Sequence, residues 1–376
     1  MKKTLNRRRF GVLAASAAAL VASVATTPIA NAAVDFSGKR ITILVPFNEG
    51  GGTDSYVRFL APFYQRHLPG NPKIQVLNKS GAGGILGGNY FEQKAEKDGT
   101  WVFALSTSTL TNYALRDPRV KFDLANYIPI ILSPRGTMQY VRKDLGVQDE
   151  KDIGAKLKKM QSLPRDKLVF GGKTPTSMGL ALRIGLSLLD VEVKSVWGMK
   201  GNGPMALAFE RGEFTVNFDN TLSYKNNRKK MIEDGIAVPL YTFGVLDDAG
   251  KFVRDPEAPN VPNWHEAYAA LHGKAPSGPP AEAFEALFHM AVTMSKSLNL
   301  PAGTSGEVVA AWVDATHKII ADPEFIEKRK KIFGAYPQTI GAAAGPIRDK
   351  ATTISPEARQ WLAKYLKGRH DVELKM

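Results

Sequence analysis

Gly50-Gly51-Gly52-Thr53-Asp54 is the segment of this 376-residue chain with the clearest chemical potential. Three consecutive glycines stand between an apolar β-rich run and a helical pattern. Backbone N–H groups are free at a helix start, and the helix dipole adds positive potential there, so the segment suits capture of an anion. Glycine lets the backbone approach a carboxylate with no side chain between them, and Thr53 or Asp54 is placed to cap the helix. A tight turn needing positive φ is the plainer alternative. Gly81-Ala82-Gly83-Gly84 occupies the equivalent place after the next β-rich run, and Ser106-Thr107-Ser108-Thr109 follows the third. Hydroxyls hold carboxylate oxygens without burying a counter-charge, although cap and turn roles suit them equally. Further along, Gly171-Gly172-Lys173-Thr174 and Gly201-Asn202-Gly203 repeat the pattern and could close over the same ligand from the other side.

Catalytic signatures fail on spacing. A dinucleotide fingerprint from Gly81 needs glycine where Leu86 stands, and a phosphate loop ending in Gly172-Lys173-Thr174 needs glycine where Lys167 stands. Ser177 lacks the preceding glycine of a nucleophile elbow, because position 175 is Pro175. The six histidines form no i, i+4 pair and none lies in a Gly-rich loop, so no metal set is visible. With no cysteine there is no thiol chemistry. A binding protein, with no enzyme activity and no cofactor, is the expected class.

The elements that must position these loops follow from periodicity. Arg40 to Pro46 is a predicted buried strand. Val57, Leu60, Ala61, Tyr64 and Leu68 then share one helical face, which Gly70 and Pro72 end. Lys73 to Leu77 is the second strand, a helix runs to about Ala95, and Trp101 to Leu105 is the third. Strand, helix, strand, helix, strand in so short a span implies parallel pairing by right-handed crossovers, so each loop opens at one sheet edge. The pattern recurs with predicted strands Leu168 to Gly171, Val193 to Trp197 and Thr215 to Phe218. Thr304 and Glu307 have capping-box spacing, and Ser355-Pro356 opens the last helix. Gly250 to Pro280 is expected to contain an interdomain crossing or a surface excursion.

Length and charge agree with two domains and an anionic partner. Lys2, Lys3 and Arg7 to Arg9, the apolar run Phe10 to Ala25 and the small residues Ala30-Asn31-Ala32 form an export signal, residues 1–32, cleaved before about Ala33. Its apolar run of about 16 residues is shorter than the roughly 20 that span a bilayer. Arg7 to Phe10 also matches a twin-arginine signal, and both export routes stay open. No cysteine is available for a lipid tether, so a soluble periplasmic product is expected. The net charge is +14. Removing the five signal cations leaves about +9, which favours anions through the long-range field. Arg228-Lys229-Lys230 and Lys328 to Lys331 lack interleaved aromatics and are read as solvated helix faces, with no nucleic acid as partner.

In order along the chain, Ile41 to Asp54 (ITILVPFNEGGGTD), Asn78 to Gly84 (NKSGAGG), Asp98-Gly99-Thr100 and a strand ending in Ser-Thr resemble the TctC-like solute-binding proteins of tripartite tricarboxylate transporters, also called Bug proteins. The likeness continues through Phe170-Gly171-Gly172, Val196 to Pro204 (VWGMKGNGP), Gly212 to Asp219 (GEFTVNFD), Ala258 to Ala267 (APNVPNWHEA), Pro301 to Thr304 and Ala321 to Glu324. The resemblance implies a two-lobed α/β periplasmic-binding-protein fold of type II, each lobe a mainly parallel sheet flanked by helices. Residues 33–137 and 262–376 would form lobe 1 and residues 138–261 lobe 2. It also implies a small organic acid in the cleft, integral-membrane transporter subunits as partner and a monomeric receptor.

Carried onto this chain, the resemblance nominates Gly50, Gly51, Gly52, Thr53 and Asp54 and the loop Gly81, Ala82, Gly83 and Gly84. It also nominates Ser106 and Thr107 and, from the second lobe, Gly171, Gly172, Lys173, Thr174, Gly201, Asn202, Gly203 and Asp219. Asp54 has three open roles there: ordering the Gly loop, binding a cationic or hydroxyl group, or complementing the helix dipole. Two departures bear on the ligand. Asn48-Glu49 stands where the family commonly has a Pro pair, and an acid beside an anion site is unfavourable unless paired or turned to solvent. Lys173 stands where relatives commonly have a G-S-G-rich loop. A ligand-loaded partner of a membrane sensor and an enzyme acting on a carboxylate are the rival readings.

Overall fold

A computed structural model describes residues 34–247 and 249–374. The export signal and its cleavage site lie outside the described residues. In chain order the first part contains β1 (Arg40–Val45), α1 (Gly52–His67), β2 (Lys73–Asn78), α2 (Ile85–Lys94), β3 (Trp101–Ser106), α3 (Thr107–Ala114) and β4 (Ile128–Ser133). The middle contains β5 (Thr137–Arg142), α4 (Ile153–Ser162), β6 (Val169–Gly171), α5 (Gly179–Ser187), β7 (Lys194–Val196), α6 (Asn202–Glu210), β8 (Val216–Asn220), α7 (Thr221–Asn227), α8 (Lys229–Glu233) and β9 (Ala237–Thr242). The chain returns through β10 (Val245–Leu246), β11 (Phe252–Val253), α9 (Trp264–His272), α10 (Gly278–Phe288) and β12 (Lys296–Leu300). It closes with α11 (Gly306–Ala321), α12 (Pro323–Lys328), α13 (Lys330–Phe333), β13 (Thr339–Ile340), α14 (Ala344–Thr352) and α15 (Pro356–His370).

Two larger sheets carry the architecture, in orders β13-β4-β12-β3-β1-β2 and β7-β6-β8-β5-β9. The helix-connected strands pair in parallel: β1 with β2 and β3, and β6 with β7 and β8. The remaining pairings, through β12 and β4 in one sheet and β5 in the other, are antiparallel. Each sheet is therefore mixed. β1, β2, β3 and β4 run one way in the first and β6, β7, β8 and β9 one way in the second, in keeping with the mainly parallel sheets expected, while β12, β13 and β5 run against them. A strand that arrives from the other sheet has no crossover helix to fix its direction. β12 is such a strand, inserted between β3 and β4, and β5 is its counterpart between β8 and β9.

These insertions build the rim of the site. Register sets Lys296, the first residue of β12, beside Ser106, the last residue of β3. It likewise sets Thr137, the first residue of β5, beside Asn220, the last of β8. Starts of inserted strands and ends of parallel strands thus share one edge.

Burial fixes the helices against these sheets. Tyr56, Val57, Leu60, Phe63 and Tyr64 of α1 are buried, and Tyr64 Oη lies 2.8 Å from Thr316 Oγ1 of α11. Each such apolar side chain contributes about 1.5–3 kcal/mol on leaving water. Asn263 and Glu266 form a capping box that starts α9, and Trp264 Nε1 donates to the Gly185 carbonyl of α5 at 3.0 Å. The cap of α11 lies one residue beyond the expected Thr304. Ser305 accepts the Val308 N–H, while the Thr304 hydroxyl donates to the Pro301 carbonyl. Ser355 caps α15 with Pro356 in its first turn, as the sequence predicts.

Candidate functional site

A cleft of about 470 Å³ opens at the shared edge of the two sheets. From the first sheet it is lined by Gly50, Gly51, Gly52 and Thr53 at the start of α1, by Ser106, Thr107 and Ser108 at the start of α3, and by Ser295 and Lys296. From the second come Thr137, Lys173, Asp219, Asn220 and Arg228, with Gly201, Asn202 and Gly203 at the start of α6. The helices α1, α3 and α6 have Gly51, Ser106 and Gly201 as their N-cap residues, and none of the three caps has a side-chain hydrogen bond. The first amides of a helix have no intrahelical acceptor, so three helix starts direct donors and positive dipole ends at one space. Phe47, Met178, Phe218 and Ala291 supply apolar wall.

The acids near this space are engaged. Asp219 is buried; Arg228 Nε meets its Oδ2 at 2.8 Å and the Tyr140 hydroxyl donates to it at 3.0 Å. Burial works against the Arg228 charge, but Asp219 outweighs it and holds the guanidinium above its ordinary range. Glu49 is 78% exposed and lies 3.6 Å from Arg58, so it is both turned to solvent and loosely paired. Asp54 Oδ2 accepts the Gly50 N–H at 2.9 Å and Arg58 Nε at 2.8 Å, while Asn78 Nδ2 donates to Oδ1 at 3.0 Å. Burial pushes the Asp54 carboxyl up, and these three donors together hold it below its ordinary value.

Two lysines are not so engaged. Lys173 Nζ donates to Asn202 Oδ1 at 2.8 Å and lies 5.7 Å from the Phe218 ring centroid. Lys296 Nζ donates to the Ser295 carbonyl at 3.2 Å. Burial pushes the Lys173 ammonium down to about 8, against the pull of Asp219. Burial, with the charges of Arg135 and Lys173, pushes Lys296 down to about 7. A cleft with three bare helix starts and two ammoniums, its acids neutralised, offers a net positive, donor-rich environment to an anion.

No protein-family model matches the chain. A UPF0065 protein from the tcbD-tcbE intergenic region of Pseudomonas sp. (strain P51) is 26% identical over 358 residues, covering 95% of this chain and 93% of its own. Among solved structures, the periplasmic binding protein BugD aligns over 89% of this chain and 98% of its own with TM-score 0.62 and 20% identity. A TctC solute-binding protein from Polaromonas covers 87% and 98%, with TM-score 0.56 and 20% identity. The chain has the TctC/Bug periplasmic-binding-protein fold. MatC from Rhodopseudomonas palustris, solved with bound malate, shares the TctC/Bug architecture across 86% of this chain and 98% of its own, at TM-score 0.60 and 19% identity.

Within this TctC/Bug fold the structure brings Gly50 to Thr53, Ser106, Thr107, Lys173, Gly201 to Gly203 and Asp219 together at the cleft. The other nominated residues are placed behind it. Asp54 faces back into the loop and neither it nor Thr53 caps α1, because the helix starts one residue earlier, at Gly52. Gly81, Ala82, Gly83 and Gly84 form a short turn held by Asn112 Nδ2, which donates to the Ala82 and Gly83 carbonyls. A Cβ on Gly84 would collide with Thr109 Oγ1, so this glycine is needed for packing. Gly171 and Gly172 lie against the Phe214 and Trp197 rings, and Thr174 faces Gly83 across the interface.

The structure adds Lys296 to the site and turns Arg228 toward it. The sequence predicts a solvated basic face for Arg228, but the side chain is only 14% exposed and turns inward to Asp219, while Lys229 and Lys230 face solvent. A cation nine residues after an acid near a strand end was the available signal for that pair. Nothing local distinguishes Lys296 from other lysines.

Proposed function

We propose that this chain is a periplasmic receptor that captures a small organic carboxylate in the cleft and delivers it to a transporter of the tripartite tricarboxylate type. The carrying observation is the composition of the cleft: three uncapped helix starts and two lysines without carboxylate partners, while Asp219 and Glu49 are paired elsewhere. Malate bound to MatC supports the same ligand class. None of the six histidines lines the cleft, and no helix among the described residues is long and apolar enough to cross a membrane.

Lobe 1, residues 33–137 and 262–376, presents the Gly50 loop, α3 and Lys296. Lobe 2, residues 138–261, presents Lys173, the start of α6 and Asp219, with α9 packed on its α4 and β9. A ligand that touches both lobes favours their closed arrangement by the difference in its contacts. The leader-like residues 1–32 support export, and a monomer is the state proposed for a receptor that must hinge.

A thermal-shift screen of the chain from Ala33 onward tests this, using mono-, di- and tricarboxylates, aromatic acids and amino acids. A cognate acid at a hundred times its dissociation constant adds about 2.7 kcal/mol to stability. If no acid raises the melting temperature, the receptor reading fails.

A further inference from the structure

Lys173 and Lys296 face one cleft from opposite lobes, and neither makes an ion pair among the described residues. Apart from the pull of Asp219 on Lys173, the charged groups around them are further cations or are already paired. Asp219 belongs to Arg228 and Tyr140, Lys200 is a further cation at the rim, and Arg135 stands behind Lys296. Arg135 is buried, donates to the Ile332 carbonyl and packs over the Tyr56 and Phe333 rings, again with no acid partner. Unscreened like charges in a partly buried cleft repel.

We propose that Lys173 and Lys296 form a ligand-operated charge latch, in which their repulsion favours open empty lobes and a ligand with an anionic group at each lysine reverses the sign and draws the lobes together. This rests on the receptor reading above. The two lysines are not interchangeable partners of one carboxylate. Lys173 is tethered by Asn202 at the start of α6 and by the Phe218 ring, while Lys296 is fixed at the first residue of β12 beside Ser106. A monoanion on the Lys296 side leaves Lys173 uncompensated. A dianion neutralises both and adds the helix starts of α1 and α3 at one end and of α6 at the other. Burial lowers both ammoniums, and at Lys296 the neighbouring charges of Arg135 and Lys173 lower it further.

The test uses the chain from Ala33 onward with matched probes: succinate against butyrate and adipate against hexanoate, by calorimetry and small-angle scattering. At least one diacid should bind about 100-fold more tightly than its monoacid partner, each charge-assisted contact contributing roughly tenfold or more. That diacid alone should reduce the radius of gyration. Lys173→Met should bring diacid and monoacid within a few-fold of each other, and Lys173→Arg should restore the preference. Equal binding of the paired probes, compaction by the monoacid, or an undiminished diacid preference in Lys173→Met overturns the latch and leaves the receptor reading standing. Should Lys173→Met fail to fold, the wild-type affinity ratio and scattering decide alone. Failure of every acid to bind wild type removes the receptor reading and the latch with it.

Discussion

Asp54 Oδ2 accepts the backbone N–H of Gly50 at 2.9 Å, across the turn that joins β1 to α1. The acid inside the Gly-rich motif therefore does not face the cleft. It ties the start of the loop to the first turn of the helix, with Arg58 and Asn78 as its other partners. The loop's remaining amides are left open to the cleft, and their positions are set before any ligand arrives.

Asp54→Ala leaves three donors without their acceptor and should cost about 1–3 kcal/mol of stability. The pH dependence has a definite sign. The folded-state carboxyl lies below its ordinary value of 3.8, so its contribution is fully present above that value and is lost as pH falls through the folded one. Chemical denaturation of wild type and Asp54→Asn should differ at neutral pH and converge in acid. A constant difference across the acid range would remove Asp54 from this role.

Gly52 has ordinary helical geometry, and a Cβ there would lie 3.5 Å from Asn220 Nδ2 on the opposite lobe. Gly52→Val should therefore fold with a stability change of roughly 1 kcal/mol or less, while its branched side chain occupies the gap between the lobes. Loss of all carboxylate-induced thermal shift, with a near-native melting temperature, is the expected outcome. Gly51→Val makes a softer test of the same loop, since its Cβ would meet only the Asn48 carbonyl at 3.4 Å.

Gly84 separates packing from binding in the second Gly-rich loop. Its φ is +98°, and a Cβ would press on Thr109. Gly84→Ala should destabilise by about 2 kcal/mol or more from strain and overpacking combined. The ligand-induced increment in melting temperature should survive, because the residue does not line the cleft. Loss of the increment with unchanged stability would give this loop a direct part in binding.

Arg228→Leu strands Asp219, whose side chain is 2% exposed, and breaking one partner of such a pair costs about 3–5 kcal/mol. Adding Asp219→Asn should return much of that loss. Denaturant midpoints of the two single variants and the double variant check it, and simple additivity would mean that the pair is not coupled.

The Lys296 charge costs stability where that of Asp54 adds it. Its folded value of about 7 lies below the ordinary 10.5, so the unfolded chain binds more protons between these values and empty wild type gains stability as pH rises through them. Lys296→Met should lose part of that slope and melt higher than empty wild type at pH 7, by about 1–3 kcal/mol given its partial exposure. Carboxylate binding to wild type should take up protons, visible as a buffer-dependent calorimetric enthalpy.

The amino-acid sequence by itself determined the local punctuation: glycines after strands, helix faces such as Val57, Leu60 and Tyr64, the Ser355-Pro356 start, and the order in which loops reach one edge. These are nearest-neighbour properties, fixed by φ range, side-chain periodicity and the missing donor of proline. Only the tertiary structure decided which loops form the cleft and which merely pack, because that depends on strands inserted from the other lobe. Lys296 reaches the site because β12 runs antiparallel beside β3, a direction no local signal in Ser295-Lys296-Ser297 encodes. Arg228 leaves a basic run for Asp219 because burial makes an unpaired acid more costly than an ordered arginine. Local chemistry placed amides at an edge, and long-range pairing chose the charges that stand among them.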